Sequence, residues 1–352
     1  MSARRGILCL ALGLAATPLQ AQGTPTLLQR LAVLDSKKVD AVERGEAISM
    51  TLDAPEKTEI TTLGVVRLDV PRAFYVARVR ELTRFLATGS RAVAGSFSEP
   101  ARLADVETLA LDPSDAKALA KCQPRRCDVK LSAVEMELFH AQPGNAHARP
   151  PAADSLMREW LVRYVNAYRS DSTEETVVYD DTKRPVRSSD ALRTLLAEPL
   201  PAGLDAEPFA AMLRSSRGAR AATVASRISW ELDRVPGLKP TLEVFERSTY
   251  SSPAHSEANW MTSKLLYASH YFEAQIDFIT IADAPAQVGG SAAYLVVLRR
   301  SKFDDLPSGG LFNIRGKAVK HLRDALRTTL ANTRDELSRA YGDSMGTVLP
   351  EH

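Results

Sequence analysis

Length, composition and charge are those of an ordinary globular chain. The sequence has 352 residues, of which 45% are hydrophobic and 25% charged, with 45 Lys and Arg against 43 Asp and Glu. A protein that binds nucleic acid through its backbone needs an excess of basic residues on one face. Here both signs are interspersed, so no nucleic-acid partner is expected. The length allows one large domain or two ordinary ones.

Residues 1–21 have the features of a cleavable secretory signal peptide. Arg4 and Arg5 precede an apolar run at 7–16, and Ala21 places a small residue before a predicted cut at Gln22. Removing the two arginines leaves 43 basic residues, equal to the number of acidic ones. The run is shorter than the roughly 20 residues of a membrane-spanning helix. We therefore expect a bacterial protein that is periplasmic or secreted; the alternative is an N-terminal helix that stays attached as an anchor.

Two cysteines remain after that cut, Cys122 and Cys127, within the segment KCQPRRCDVKL. In an oxidising compartment an even pair this close in sequence predicts a structural disulfide. A metal half-site or a redox pair is the alternative, although zinc sites usually have a shorter spacing and need two further ligands.

The first clear elements are a strand followed directly by a helix. Residues 60–70 alternate as a strand does, and Pro71 suits the first turn of a helix over 71–86. Ser132 and Glu135 form a capping box that opens a second helix. Residues 141–153 have the composition of a loop, and residues 155–168 form a strongly amphipathic helix.

The last third of the chain predicts an antiparallel sheet and a long helix. Segments 228–232, 242–250, 265–282 and 292–299 alternate and are separated by Pro and Gly clusters. Short connections between consecutive strands favour antiparallel pairing. A final amphipathic helix of roughly 25 residues is predicted between Ile314 and Tyr341.

This element order predicts an α+β fold in which a curved antiparallel sheet packs on the long C-terminal helix, as in helix-grip, START-like proteins. Residues 22–86 would supply the N-terminal strand and helix, and residues 228–342 the remaining strands and the last helix. Residues 87–227 would be a mostly helical insertion or lobe, and residues 343–352 a tail. Such a fold would leave an apolar cavity between sheet and helix.

The segment from Ser263 to Ile281 carries the predicted site. If it is one strand, its even positions from Leu266 to Phe278 form an apolar face interrupted only by His270. Such a histidine is either a hydrogen-bonded structural group or a polar group in a ligand cavity. In the second case the predicted ligand-binding residues are Leu266, Tyr267, His270, Phe272 and Tyr294.

Catalytic and cofactor motifs are absent from the sequence. It has no H-E-x-x-H, no G-x-S-x-G and no G-x-G-x-x-G that opens a helix. Its histidines are scattered, so no metal site and no cofactor are predicted. Asp180 and Asp181 could be a carboxylate pair, but the basic residues and the proline that follow are typical of a solvated turn.

Basic residues gather at the start of the last helix. They could contact anionic lipid at a membrane surface, and the alternative is an ordinary solvated helix face. The residues are Arg315, Lys317, Lys320, Arg323 and Arg327.

Several segments together resemble a group of uncharacterised secreted bacterial proteins. The resemblance rests on C-x4-C-D-x-K-L at 122–131, on YVNAYRSDSTEETVVYDDTKRP at 164–185 and on GLKP at 237–240. It also includes the Y-A-S-H-Y-F stretch within 263–274 and YLVVLRRSKFD at 294–304. It covers most of the chain after Cys122, and it implies no activity or cofactor.

Three functions remain as hypotheses. The first is a periplasmic binding or carrier protein for a hydrophobic, lipid-like small molecule held in an apolar cavity. The second is an envelope enzyme in which His270, with Tyr271 or a carboxylate such as Asp180 or Asp181, performs acid–base chemistry. The third is an envelope protein-interaction module that uses the surface near 305–323.

Overall fold

A computed structural model describes residues 26–81, 93–140, 150–170, 177–215, 224–234, 238–250, 258–285, 291–305 and 314–346. The predicted signal peptide, the end of the helix predicted over 71–86 and most of the predicted loop at 141–153 lie outside these residues.

The strands of the described residues form one large antiparallel sheet and one small hairpin. The last five strands, β6 to β10, lie side by side in chain order, and β2 pairs with β10, so the order is β1-β2-β10-β9-β8-β7-β6-β3. β4 and β5 pair only with each other. The strands are β1 (Ile48–Leu52), β2 (Glu59–Leu68), β3 (Val93–Ser96), β4 (Val178–Tyr179), β5 (Val186–Arg187), β6 (Val224–Asp233), β7 (Thr241–Tyr250), β8 (Ala258–Ala268), β9 (Phe272–Asp283) and β10 (Ala293–Phe303).

Helices cover the sheet and include the long C-terminal helix that the sequence predicts. They are α1 (Leu27–Arg30), α2 (Ser36–Glu43), α3 (Arg72–Glu81), α4 (Pro113–Leu119), α5 (Ala133–His140), α6 (Pro150–Ser170), α7 (Ser188–Ala197), α8 (Ala206–Ser215) and α9 (Ile314–Gly346), with a short 3-10 helix at Leu103–Val106. The predicted α+β class, with an antiparallel sheet on a long C-terminal helix, is confirmed, and the arrangement is compatible with a helix grip. The capping box of α5 is also confirmed, since Glu135 N donates to Ser132 Oγ and Ser132 N to Glu135 Oε2.

Two predicted elements have different bounds. The single strand expected over 265–282 is wrong: the chain turns at Ser269, His270 and Tyr271 between β8 and β9. Tyr271 has a φ of 63°, a value that no strand residue adopts. The apolar alternation continues through this turn with His270 as its only interruption, which is why the sequence pattern hides the turn. The second difference is the start of α6. The helix begins at Pro150, within the segment 141–153 that was expected to be a loop, because prolines fit the first turn of a helix.

The two sides of the sheet pack against different helices. On one side, called here the α9 side, Val66 of β2 and Val297 of β10 belong to a buried cluster with Leu326 and Leu330 of α9, and Tyr75 of α3 lies in the same cluster. The opposite side, called the insertion side, packs against α4 to α6 over β6 to β8, and against α1, α2, α7 and α8 over β2 and β8 to β10.

α9 approaches the sheet closely at Gly64. Gly64 lies on β2 opposite Val297, on the α9 side. A Cβ atom at this position would lie 2.6 Å from Leu330 Cδ1 and 2.8 Å from Leu326 Cγ. Both leucines are at most 1% exposed, so they have little room to move. Only a residue without a side chain lets α9 dock at this depth.

Gly64→Ala is expected to destabilise the protein by about 1–3 kcal/mol, because it overpacks the contact between β2 and α9. The control is Gly342→Ala in α9, where an added Cβ meets no atom within 4 Å; this change should be neutral or slightly stabilising through helix propensity. Urea unfolding of both variants measures the difference. Equal stabilities would contradict this packing.

None of the helices in the described ranges is both long enough and apolar enough to cross a membrane.

Candidate functional site

The five predicted ligand residues do not lie together. Leu266 and Tyr267 are buried on the insertion side, where the Tyr267 ring contacts Trp160 of α6 at a centroid distance of 4.7 Å. Tyr294 is buried in a different cluster of that side and donates its hydroxyl to Glu43 of α2. His270 and Phe272 flank the turn between β8 and β9, and Phe272 packs toward the α9 side.

His270 forms a buried pair with a carboxylate of α4. Its Nε2 lies 2.9 Å from Asp115 Oδ2 of α4, and both side chains are about 95% buried. The other Asp115 oxygen, Oδ1, and the Tyr267 hydroxyl are buried without a hydrogen-bond partner. The partner of His270 is therefore Asp115, and not Asp180 or Asp181 as expected for acid–base chemistry. The pair fixes α4 to the turn between β8 and β9.

The turn around His270 is also the meeting point of several other segments, and we call this region the hairpin junction: residues 127–131, 179–181, 239–242, 268–272 and 304. Ser269 accepts from Lys130 N through its carbonyl, and its hydroxyl accepts from Leu242 N. Tyr271 accepts from Lys239 N at its hydroxyl and from Asp304 N at its carbonyl. Each segment whose sequence carries the resemblance contributes to this junction.

Lys130 lies at the centre of the hairpin junction. Its ammonium group forms a salt bridge with Asp304 and lies 4.4 Å from the centroid of the Tyr179 ring. The Tyr179 hydroxyl in turn accepts from Ala268 N at 3.1 Å. A buried lysine needs such partners, because its charge is otherwise costly to remove from water.

The disulfide loop is attached to the same region. Cys122 and Cys127 are bonded, as predicted. Cys127 N donates to Asp181 O at 3.0 Å and Arg125 N donates to Asp180 O. The chain turns at Asp180 and Asp181 as expected, but Asp181 is 8% exposed and not solvated; burial raises its pKa, while Lys130 acts in the opposite direction. The two acids belong to a structural junction.

His270→Asn is expected to lower the free energy of unfolding by about 3 kcal/mol, because it leaves Asp115 buried without its partner. In the native protein His270 should also resist carbethoxylation by diethyl pyrocarbonate, because the ring is buried. The control is His321→Asn: His321 is half-buried on α9 and makes no hydrogen bond within the described ranges. A stable His270→Asn protein, or rapid modification of His270, would contradict a structural role.

A second polar cluster lies on the α9 side of the sheet. Along β10, the residues on this side change from Leu295 and Val297 to Arg299 and Ser301, and along β9 they change from Ile281 and Ile279 to Asp277 and Gln275. β6 and β7 add acidic and basic residues with the same orientation. We call this group the inner polar cluster: Thr62, Ser229, Glu231, Glu243, Arg247, Ser263, Asp277 and Arg299.

Both arginines of the inner polar cluster are already paired. Arg299 donates to both carboxylate oxygens of Asp277, at 2.8 and 2.7 Å, and both side chains are nearly inaccessible to solvent. Arg247 donates to Glu231 and to Ser229 on the neighbouring strand. Bidentate pairing of this kind is among the strongest hydrogen bonding that a buried charge can obtain.

Glu243 is the exception in the cluster. It is 7% exposed, yet it makes no hydrogen bond or salt bridge within the described part of the chain. Burial raises its pKa well above the usual value, and the neighbouring carboxyl groups of Asp233 and Glu231 raise it further, while Arg299 and Arg247 act against them. Arg247 Nε and Thr62 Oγ1 are likewise buried without a partner. The inner polar cluster therefore has free hydrogen-bonding capacity in its interior.

Stability should depend on pH through Glu243. Below the ordinary pKa of 4.5, the carboxyl group is protonated in both the folded and the unfolded protein. Above this pH the unfolded chain loses the proton while the folded protein keeps it, because the folded-state pKa is raised. The folded state therefore becomes less stable as the pH rises. Relative to Glu243→Gln, the wild type should lose about 1.4 kcal/mol for each pH unit in this window.

Urea unfolding of both proteins between about pH 4 and pH 8 tests this expectation. Glu207→Gln, which removes an exposed carboxylate from α8, is the control. A difference between wild type and Glu243→Gln that stays constant with pH would show that the folded-state pKa of Glu243 is ordinary.

A small apolar patch adjoins the inner polar cluster. Phe245, Leu265 and Ala268 form a buried group on β7 and β8, with Phe272 of β9 packed against it. Phe272 also packs against the cluster that includes Leu322 of α9. In the strand register Phe245 lies opposite Leu265, and Glu243 opposite Ala268. The Arg247 guanidinium lies 5.0 Å from the centroid of the Phe245 ring. Apolar surface and polar groups thus occupy adjacent positions on the same side of the sheet.

The basic residues at the start of α9 are mostly paired. Lys320, Arg323 and Arg327 all form salt bridges with Asp324, and Arg315 donates to the carbonyls of Lys57 and Glu59. This pairing reduces the positive charge available for anionic lipid, and contact between this surface and a membrane remains a hypothesis.

Sequence reasoning missed the inner polar cluster. Its signal is present in β6 and β7, where Glu231 and Glu243 each lie between two apolar residues of the other parity. Charged residues in that pattern ordinarily indicate a solvated face, and the sequence alone does not show that this face is buried.

No group of three or more His, Cys, Asp or Glu side chains suited to a metal ion is found among the described residues. Comparison of the chain with protein-family models and with curated proteins finds no match.

Proposed function

We propose that this protein is an exported binding or carrier protein for a small, largely apolar molecule. The observation that carries the proposal is the α9 side over β7 to β9, where a buried apolar patch adjoins polar groups with unused hydrogen-bonding capacity. Small-molecule sites typically combine an apolar lining with a few placed polar groups.

The site differs in part from the one expected from the sequence. Of the five predicted residues, Phe272 lies in the apolar patch, and His270 is next to it in the turn but is engaged with Asp115. The ligand would lie along Phe245, Leu265 and Phe272, with the inner polar cluster at one end. The helix-grip arrangement supports this position, because α9 packs on the same side of the sheet.

Export to the periplasm or the medium is part of the proposal. It is supported by the features of residues 1–21 and by the disulfide, which persists in oxidising compartments. A carrier of apolar molecules between membranes is useful in such a compartment, because these molecules cross an aqueous space poorly.

A second candidate function is acid–base catalysis by His270, as an envelope enzyme. Asp115 favours it, because a carboxylate within hydrogen-bond distance orients a catalytic histidine. Burial of both groups argues against it, since a substrate must reach the ring. Fast reaction of His270 with diethyl pyrocarbonate in the native protein would favour the enzyme, and resistance favours the binding protein.

Nile red, an uncharged dye that fluoresces in apolar surroundings, should bind the purified protein in a saturable manner. Phe245→Leu should weaken this binding roughly fivefold, since one aromatic contact contributes about 1 kcal/mol. The matched control is Phe209→Leu, a buried phenylalanine on the insertion side that packs on Phe278; it should leave the affinity unchanged. Absence of saturable binding, or equal effects of the two variants, would refute the proposed site.

A further inference from the structure

We propose that the molecule bound on the α9 side carries a cationic amine head group and that Glu243 is the residue that recognises it. This inference deepens the proposed function and rests on it. It concerns the polar end of the site, which neither the sequence motifs nor the apolar patch define.

Charge complementarity determines the sign of the ligand. Arg299 is paired with Asp277, and Arg247 donates to Glu231 and Ser229, while its Nε has no partner. The remaining carboxyl group, Glu243, has neither a salt bridge nor a hydrogen bond within the described ranges, and Glu231 lies directly opposite it on β6. The inner polar cluster holds three carboxyl groups, Glu231, Glu243 and Asp277, against two arginines. An anionic ligand would therefore meet an excess of acidic groups, whereas a cation would find in Glu243 an acid of the cluster that has no partner within the described ranges.

The most favourable partner for the Glu243 carboxyl group is a hydrogen-bond donor that also carries a positive charge. A buried carboxyl group without a partner is costly, and natural proteins seldom keep one without a use. An ammonium group offers both charge and N–H donors, so its binding lets Glu243 ionise in the interior as one member of a hydrogen-bonded ion pair. A neutral hydroxyl offers only one weaker hydrogen bond.

The strand geometry places the binding positions for the polar head group and the apolar tail of the ligand next to each other. Glu243 and Phe245 are two residues apart on β7 and therefore point to the same side of the sheet, about 7 Å apart. Ala268, opposite Glu243, and Leu265, opposite Phe245, continue the apolar patch along β8. A ligand with an alkyl or aryl body on Phe245 and Leu265 would place its first polar atom beside Glu243.

Competition against Nile red with three ten-carbon chains tests the head group. Decylamine, decanol and decanoate share the tail and differ in charge. On the wild-type protein, decylamine should displace the dye at a concentration about tenfold to hundredfold lower than decanol, the difference expected for a charge-assisted hydrogen bond. Decanoate should be the weakest competitor. These comparisons need no variant, so they do not depend on how any substitution folds.

Glu243→Gln then tests the residue. The substitution removes the charge of this side chain and keeps its size, so the advantage of decylamine over decanol should fall to about twofold or less. Glu207→Gln on the surface of α8 should retain the full advantage. Decanoate binding as well as decylamine, or an amine preference that survives in Glu243→Gln, would overturn the inference while leaving the proposed function intact. If neither the dye nor any of the three chains binds, by fluorescence or by calorimetry, the proposed function itself fails.

Discussion

The salt bridge between Arg299 and Asp277 allows the centre of the sheet to be polar on its α9 side. Both side chains are nearly fully buried, and two parallel hydrogen bonds across β9 and β10 satisfy charges that could not otherwise leave water. Alternate residues of a strand face opposite sides of the sheet. On the α9 side, the apolar residues Ile279 of β9 and Val297 of β10 are therefore followed, two positions along each strand, by Asp277 and Arg299. α9 packs on apolar residues at both ends of this polar row: Leu326 and Leu330 belong to a cluster with Val66 and Val297, and Leu322 belongs to one with Ile60 and Phe303.

Removing either partner would cost more than the pair contributes, because the survivor would be an isolated buried charge. The same reasoning separates Glu243 from its neighbours. Arg247 and Glu231 are paired with each other, whereas Glu243 has charged neighbours but no hydrogen bond or salt bridge within the described ranges. In the inner polar cluster, where each of the other charged side chains has a salt-bridge partner, this acid is the feature that most requires a functional explanation.

Much of the fold follows from the sequence, because its strongest signals are local. Alternation identifies β2, β7 and β10, helical periodicity identifies α6 and α9, and the capping box identifies the start of α5. The β8–β9 turn escapes this reasoning. It is formed by Ser269, His270 and Tyr271, none of which is a Gly, Pro or Asn that would indicate a turn, and it is held by bonds from distant segments such as Lys130, Leu242 and Asp304. Long-range hydrogen bonds leave no periodic signal in the sequence.

The candidate site could be predicted only in part for the same reason. His270 and Phe272 were identified from one apolar parity, but the turn directs them to different neighbours, and Tyr294 belongs to the opposite side of the sheet. Asp115 is far from His270 in sequence, and nothing in the local pattern connects them. The hairpin junction is therefore best understood as the structural region that fixes α4 and the disulfide loop to the sheet, while the inner polar cluster and the apolar patch are where we propose that a small molecule binds.

The central claim is that a ligand binds on the α9 side over β7 to β9. Methyl-labelled NMR with decylamine tests it most directly, because Leu265 and Ala268 lie on that side, while Leu63 and Leu298 lie in the buried cluster of the insertion side. The account predicts that titration shifts the methyl signals of Leu265 and Ala268 and leaves those of Leu63 and Leu298 in place. Shifts confined to Leu63 and Leu298, or no shifts at saturating decylamine, would contradict it.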